Sequence, residues 1–155
     1  MADSDALIQL MKTKGFTAKH IVITGGEPCI YDLTLLTESL EQNGYQCQIE
    51  TSGTYPIQCS EKTWVTVSPK VGMKGGLEVL EQAVNRANEV KYPVAREKDI
   101  EALEKILALR TVETPPVVAL QPISQKAAAT KLCIETCIQR NWRLSIQTHK
   151  YLDIQ

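Results

Sequence analysis

Six short apolar or β-branched runs punctuate the chain: His20-Ile21-Val22-Ile23-Thr24, Gln46-Cys47-Gln48-Ile49-Glu50, Trp64-Val65-Thr66-Val67, Glu89-Val90-Lys91-Tyr92, Val117-Val118-Ala119-Leu120 and Arg143-Leu144-Ser145-Ile146. Most intervals between them show the helical period. Leu7, Leu10 and Met11 share one face of a segment from Ala6 to Lys14, which Gly15 ends. Leu33, Leu36 and Leu40 repeat before the stop signal Asn43-Gly44, and Leu77, Leu80, Val84 and Ala87 form the same stripe. Ile100, Leu103 and Leu107 form another, and Ser124 is placed to cap a helix from about Ala127 to Arg140 that buries Leu132 and Cys133. The stretch around Cys59, after Tyr55-Pro56, has no helical period.

Strands alternating with helices predict a parallel sheet, because parallel neighbours need crossover connections. The strand starts lie roughly 17 to 29 residues apart. This spacing points to a single domain over 1–155 of α/β class, an incomplete (β/α) barrel (partial TIM barrel) with mostly parallel strands, rather than a doubly wound sheet. No composition shift or low-complexity tract marks a linker.

Composition narrows the class only a little. Hydrophobic residues make up 43% and charged residues 23%, and 17 Lys and Arg against 18 Asp and Glu leave a net charge of -1. With no basic stripe, nucleic acid is not an expected partner. No apolar run approaches the roughly 18 residues of a membrane span, and Met1 to Asp5 has no basic or apolar leader, so the expected location is cytoplasmic. Five scattered cysteines do not read as a disulfide framework. Cys133 and Cys137, at i and i+4, read as one buried helix face.

The strand ends carry the chemistry. Thr24-Gly25-Gly26-Glu27-Pro28, Glu50-Thr51-Ser52-Gly53, Ser68-Pro69-Lys70, Gln121-Pro122-Ile123-Ser124 and Gln147-Thr148-His149-Lys150 all follow strands. Ligands of parallel α/β sheets bind at that edge, where loops from several strands converge. In the first cluster the glycines let backbone polar groups meet a ligand closely. Glu27 is suited to an ammonium group, and Pro28 holds Glu27 extended. The spacing fits neither a dinucleotide fingerprint nor a P-loop.

Gly-Gly-Glu-Pro after an early strand resembles the cofactor turn of radical S-adenosylmethionine enzymes. The longer words Val22-Ile-Thr-Gly-Gly-Glu-Pro-Cys29, Ile49-Glu-Thr-Ser-Gly-Thr54, Trp64-Val-Thr-Val-Ser-Pro-Lys70, Leu120-Gln-Pro-Ile-Ser124 and Asn141-Trp-Arg-Leu-Ser-Ile-Gln-Thr-His-Lys150 resemble, in order, the 7-carboxy-7-deazaguanine synthases of queuosine biosynthesis. The likeness runs from about Lys19 to the C-terminus. It implies a modified, incomplete (β/α) barrel. It also implies a lyase that converts 6-carboxy-5,6,7,8-tetrahydropterin to 7-carboxy-7-deazaguanine with loss of ammonia.

By that resemblance Gly25, Gly26, Glu27, Ser68, Pro69, Lys70, Gln121, Pro122, Ile123 and Ser124 would bind S-adenosylmethionine. Thr24, Glu50 and His149 would face the pterin. The family also uses a [4Fe–4S] cluster, Mg2+, an electron donor such as flavodoxin, and a homodimeric assembly. The three clustered cysteines that hold the iron are expected ahead of Gly-Gly-Glu-Pro, with the magnesium ligand. No such cysteine group occurs in this sequence, so the first strand and cluster loop are expected to be absent and the chain inactive alone. Two other classes stay open: a barrel lyase using Lys70 as a Schiff-base nucleophile, and a non-catalytic α/β remnant or association module.

Overall fold

A computed structural model describes residues 4–70, 77–123 and 126–148. The elements run α1 (Ser4–Thr13), β1 (His20–Ile23), a 3-10 turn (Pro28–Ile30), α2 (Thr34–Gln42), β2 (Gln46–Thr51), β3 (Trp64–Val67), α3 (Glu81–Arg86), β4 (Glu89–Val94), α4 (Glu97–Leu107), β5 (Val117–Pro122), α5 (Ala127–Arg140) and β6 (Arg143–Leu144). All six expected strands form. They build one sheet in the order β1-β2-β3-β4-β5-β6, and every neighbouring pair is parallel. A doubly wound sheet reverses its strand order at a switch point. This order never reverses and β1 does not meet β6, so the sheet is an open segment of a barrel-type array.

Right-handed crossovers in an unreversed order place the helices on one side, and the core confirms it. Ile49, Val65, Val67, Val90, Tyr92, Val94, Val118 and Leu120 pack with Val84 of α3, Leu103 of α4 and Cys133 of α5. Ile8 of α1 and Leu40 of α2 close a smaller cluster over Cys47 and Tyr45. Strand residues alternate faces. The other, inner face therefore receives His20, Gln48, Glu50, Thr66, Glu89 and Lys91.

The helices differ from the sequence expectation in detail. α3 spans only Glu81–Arg86, so of its expected stripe Val84 alone lies within the helix, Leu80 and Ala87 cap its two ends and Leu77 lies outside. Lys126 stands at the N-cap of α5, and Ser124, the expected cap, lies outside the described residues. Cys133 is buried as expected, whereas Leu132 is only partly so. β4 runs two residues beyond the expected Tyr92, through Pro93. A proline has no N–H to donate to a strand ladder, so it is tolerated where pairing is lost. The β3 pairing ends at Val90, so Pro93 faces only β5.

The irregular segment between β2 and β3 is fixed by charge. Arg86 Nη2 donates to the carbonyls of Ser60 at 3.0 Å and Thr63 at 2.8 Å. Glu41 accepts from Ser60 Oγ at 2.5 Å and Thr63 Oγ1 at 2.8 Å. Arg86→Met is expected to lower the unfolding free energy by about 2–4 kcal/mol, because two buried carbonyls lose a charged donor. Urea denaturation of the two chains checks this.

Candidate functional site at the carboxyl edge

The turn after β1 begins with two left-handed glycines, Gly25 at φ +93° and Gly26 at +52°. A Cβ built on either would meet nothing within 4 Å. Glycine is therefore needed for the backbone conformation, and the outer side of the turn is open space that a ligand can enter. Thr24 is exposed beside it.

Glu27 turns inward. Its carboxylate accepts from Thr51 Oγ1 at 2.5 Å, Ser52 Oγ at 2.5 Å, Ser52 N at 2.8 Å and Cys29 N at 3.1 Å. The last of these caps the 3-10 turn. Burial alone would raise this carboxyl; the hydrogen bonds from Ser52, Thr51 and Cys29 outweigh it and hold the pKa below the ordinary value. A carboxylate has about four lone-pair directions, and four donors occupy them. Glu27 thus presents a ligand with fixed negative charge, while the polar groups open to contact are those of the glycine backbone.

The same ties extend across the edge. Ser68 N donates to Thr51 O at 2.7 Å, fixing the exit of β3 to that of β2. Gly53, at φ +76°, lies where a Cβ would come 2.7 Å from Val67 Cγ1. Gly25, Gly26, Glu27, Glu50 and Ser68 are therefore brought to one end of three adjacent strands. Pro69 is buried behind them. Gln121 and Pro122 end β5 at the same edge, about 14 Å along the sheet from β2 by three strand spacings. Ile123 is exposed there. Lys70 is exposed too, so it lacks the apolar surroundings that activate a Schiff-base lysine. Ser124 and His149 lie outside the described residues.

Sequence reasoning missed the inner face beyond Glu50. His20 Nε2 donates to Gln48 Oε1 at 3.0 Å, and Gln48 Nε2 donates to Glu50 Oε1 at 2.8 Å. Lys91 Nζ donates to Glu50 Oε2 at 2.8 Å. Burial raises the Glu89 carboxyl above its ordinary value; Lys91 and Arg143 oppose the rise and Glu50 adds to it. A cleft of about 600 Å³ opens at the opposite, amino end of the strands, lined by His20, Tyr45, Gln48, Trp64 and Glu89 among others. The signal in the sequence was the alternation itself: Gln48, Glu50, Glu89 and Lys91 interleave with core residues in two strands.

The thiols do not form a metal site. Cys29, Cys47, Cys133 and Cys137 are buried and Cys59 is half-buried. Burial pushes Cys47 and Cys133 up to about 11 and raises the other three. Among the described residues no three His, Cys, Asp or Glu side chains converge to hold a metal ion.

An open parallel α/β sheet of barrel type, with a glycine turn at its carboxyl edge and a polar inner face, defines a domain of the (β/α) class. Comparison with known proteins sharpens this. No protein-family model matches the chain. The 7-carboxy-7-deazaguanine synthase of Escherichia coli (strain K12) is 63% identical over 153 residues, which cover 99% of this chain and 69% of that protein. The protein of that name from Buchnera aphidicola is 50% identical over 149 residues, 96% of this chain and 66% of the relative. The crystal structure of QueE from Escherichia coli superimposes with a TM-score of 0.90 at 62% identity, covering 94% of this chain and 64% of that one. The chain belongs to the 7-carboxy-7-deazaguanine synthase family, and it spans about two thirds of the length of these relatives.

Because the Glu27 carboxyl is held below its ordinary pKa in the fold, its stabilisation is complete above the usual carboxylate range and is lost as pH falls through the folded value. Urea unfolding of wild type and Glu27→Gln is expected to show a clear stability gap at pH 7 that narrows on acidification below that range. A gap unchanged down to pH 3 would contradict the assignment.

Proposed function

We propose that this chain supplies the S-adenosylmethionine cradle and part of the pterin pocket of a 7-carboxy-7-deazaguanine synthase, a radical lyase that releases ammonia from 6-carboxy-5,6,7,8-tetrahydropterin. One observation carries the reading: Glu27 locks the Gly25-Gly26 turn to the Thr51-Ser52 turn while leaving the glycine backbone open at the carboxyl edge. That backbone suits the methionyl amino and carboxylate groups, with the tethered charge of Glu27 close behind. Ser68, Pro69 and Lys70 border it across β3, and Gln121 to Ser124 would take the adenosine side. Glu50 stands on the inner face below, with Thr24 and His149 as further pterin-facing positions.

The cofactor would supply a 5′-deoxyadenosyl group for hydrogen abstraction. What this chain contributes is binding, orientation and charge. A [4Fe–4S] cluster does not fit the residues present. Such a cluster needs converging thiolates, and the five thiols here are dispersed and raised by burial. Among the described residues no three His, Cys, Asp or Glu side chains converge to hold magnesium by protein ligands alone. By this reading the chain binds but does not turn over alone. A flavodoxin-type electron donor and a homodimer belong to the same proposal. A cytoplasmic location belongs to it too; no helix among the described residues is long and apolar enough to cross a membrane.

Calorimetric titration of the folded chain tests the reading with two probes, S-adenosylmethionine and 6-carboxypterin. Both are expected to bind. Glu27→Ala should weaken the first by about tenfold or more, and Glu50→Gln the second by a similar factor. A folded chain that binds neither probe, or binds them unchanged in these variants, would overturn it.

A further inference from the structure

The inner-face row has a member that the proposed function does not use. Glu50, Thr66 and Glu89 are register partners across β2, β3 and β4. Lys91, two residues past Glu89, therefore stands one step nearer the carboxyl edge on the same face. Its ammonium reaches over β3 to Glu50 Oε2 at 2.8 Å. The residue beneath that reach is Thr66, short and fully buried, and its hydroxyl accepts from Gln48 Nε2 at 3.3 Å. A large side chain at 66 would block the pair.

The pair is only a quarter exposed, 25% for the Lys91 side chain and 22% for Glu50. It lies on the face away from the helices, so it adds nothing to the packed core. Isolated ion pairs of this kind contribute little net stability. They do fix geometry. Gln48 holds one carboxylate oxygen and Lys91 the other, and among the described residues each oxygen has one such donor, short of the two it can accept. Without Lys91, Glu50 would keep the repulsion of the Glu89 carboxylate and have no ion pair of its own among the described residues.

We propose that Lys91 is a positioning residue for the pterin: it fixes the orientation of the Glu50 carboxylate as the acceptor for ligand N–H donors on the inner face. The inference rests on the pterin standing at Glu50, and its test separates the two.

The full chain is titrated with 6-carboxypterin and with S-adenosylmethionine as wild type, Lys91→Met, Lys91→Arg, Glu50→Gln and the Lys91→Met/Glu50→Gln double variant. Lys91→Met is expected to weaken 6-carboxypterin about tenfold. The double variant should be no weaker than the worse single one, since both act through one carboxylate. Lys91→Arg should restore most of the affinity, and S-adenosylmethionine should change by less than about twofold throughout. If Lys91→Met does not fold, Lys91→Gln serves in the same comparison. A general structural role would weaken both probes together, which would overturn the proposal. So would wild-type pterin affinity in Lys91→Met, or losses in the single variants that multiply in the double. Loss in Glu50→Gln but not in Lys91→Met sinks this inference alone. A wild-type chain that ignores 6-carboxypterin sinks the placement of the pterin and the inference with it.

Discussion

The four hydrogen bonds on the Glu27 carboxylate decide where the carboxyl edge of this sheet stands. Parallel strands are joined along their length by their ladders, but the loops that leave them have no such partner. Here one side chain from the first loop reaches the second, and Ser68 N ties the third to Thr51 O. Charged hydrogen bonds are stronger than neutral ones, so three loops act as one rigid edge. A pair of glycines has wide backbone freedom when nothing holds it. Fastened at Glu27, they become an ordered backbone surface open on one side.

The two faces of the sheet then divide the work. Helices on one side bury the alternating Val, Ile and Leu positions, which supply the stability. The inner side is free of that demand. It can hold His20, Gln48, Glu50, Thr66, Glu89 and Lys91, each with a partner or a neighbour of opposite charge. A sheet covered by helices on both faces would have no place for such a row. The unreversed strand order thus determines where polar chemistry can be kept.

Most of the fold was legible because period and spacing are local properties. β-branched runs at regular distance give strands, 3.6-residue stripes give helices, and the intervals are long enough for crossovers. Pro93 hid the end of β4, since only the early loss of β3 as a partner makes a proline acceptable there. The site was legible where a turn carries its own signature, as in Gly25-Gly26-Glu27-Pro28. It was not legible where residues far apart meet. Glu27 finds Thr51 and Ser52 across 24 and 25 positions, and Lys91 meets Glu50 across 41. In the sequence, Gln48 and Lys91 look like the solvent-facing half of ordinary strands. Alternation puts Gln48 on the face of Glu50, but only register shows that Lys91 shares it.

By the proposed function the backbone at Gly25 and Gly26 receives a methionine-type ligand. A crystal structure of this chain with S-adenosylhomocysteine, the unreactive relative of the cofactor, tests it most directly. The amino-acid end of the ligand should lie against the Gly25-Gly26 backbone, with Glu27 still bound to Thr51 and Ser52 and the nucleoside directed toward Gln121. Ligand density instead in the amino-end cleft between Tyr45 and Trp64, or a Glu27 side chain released from Ser52 to grip the ligand, would contradict it.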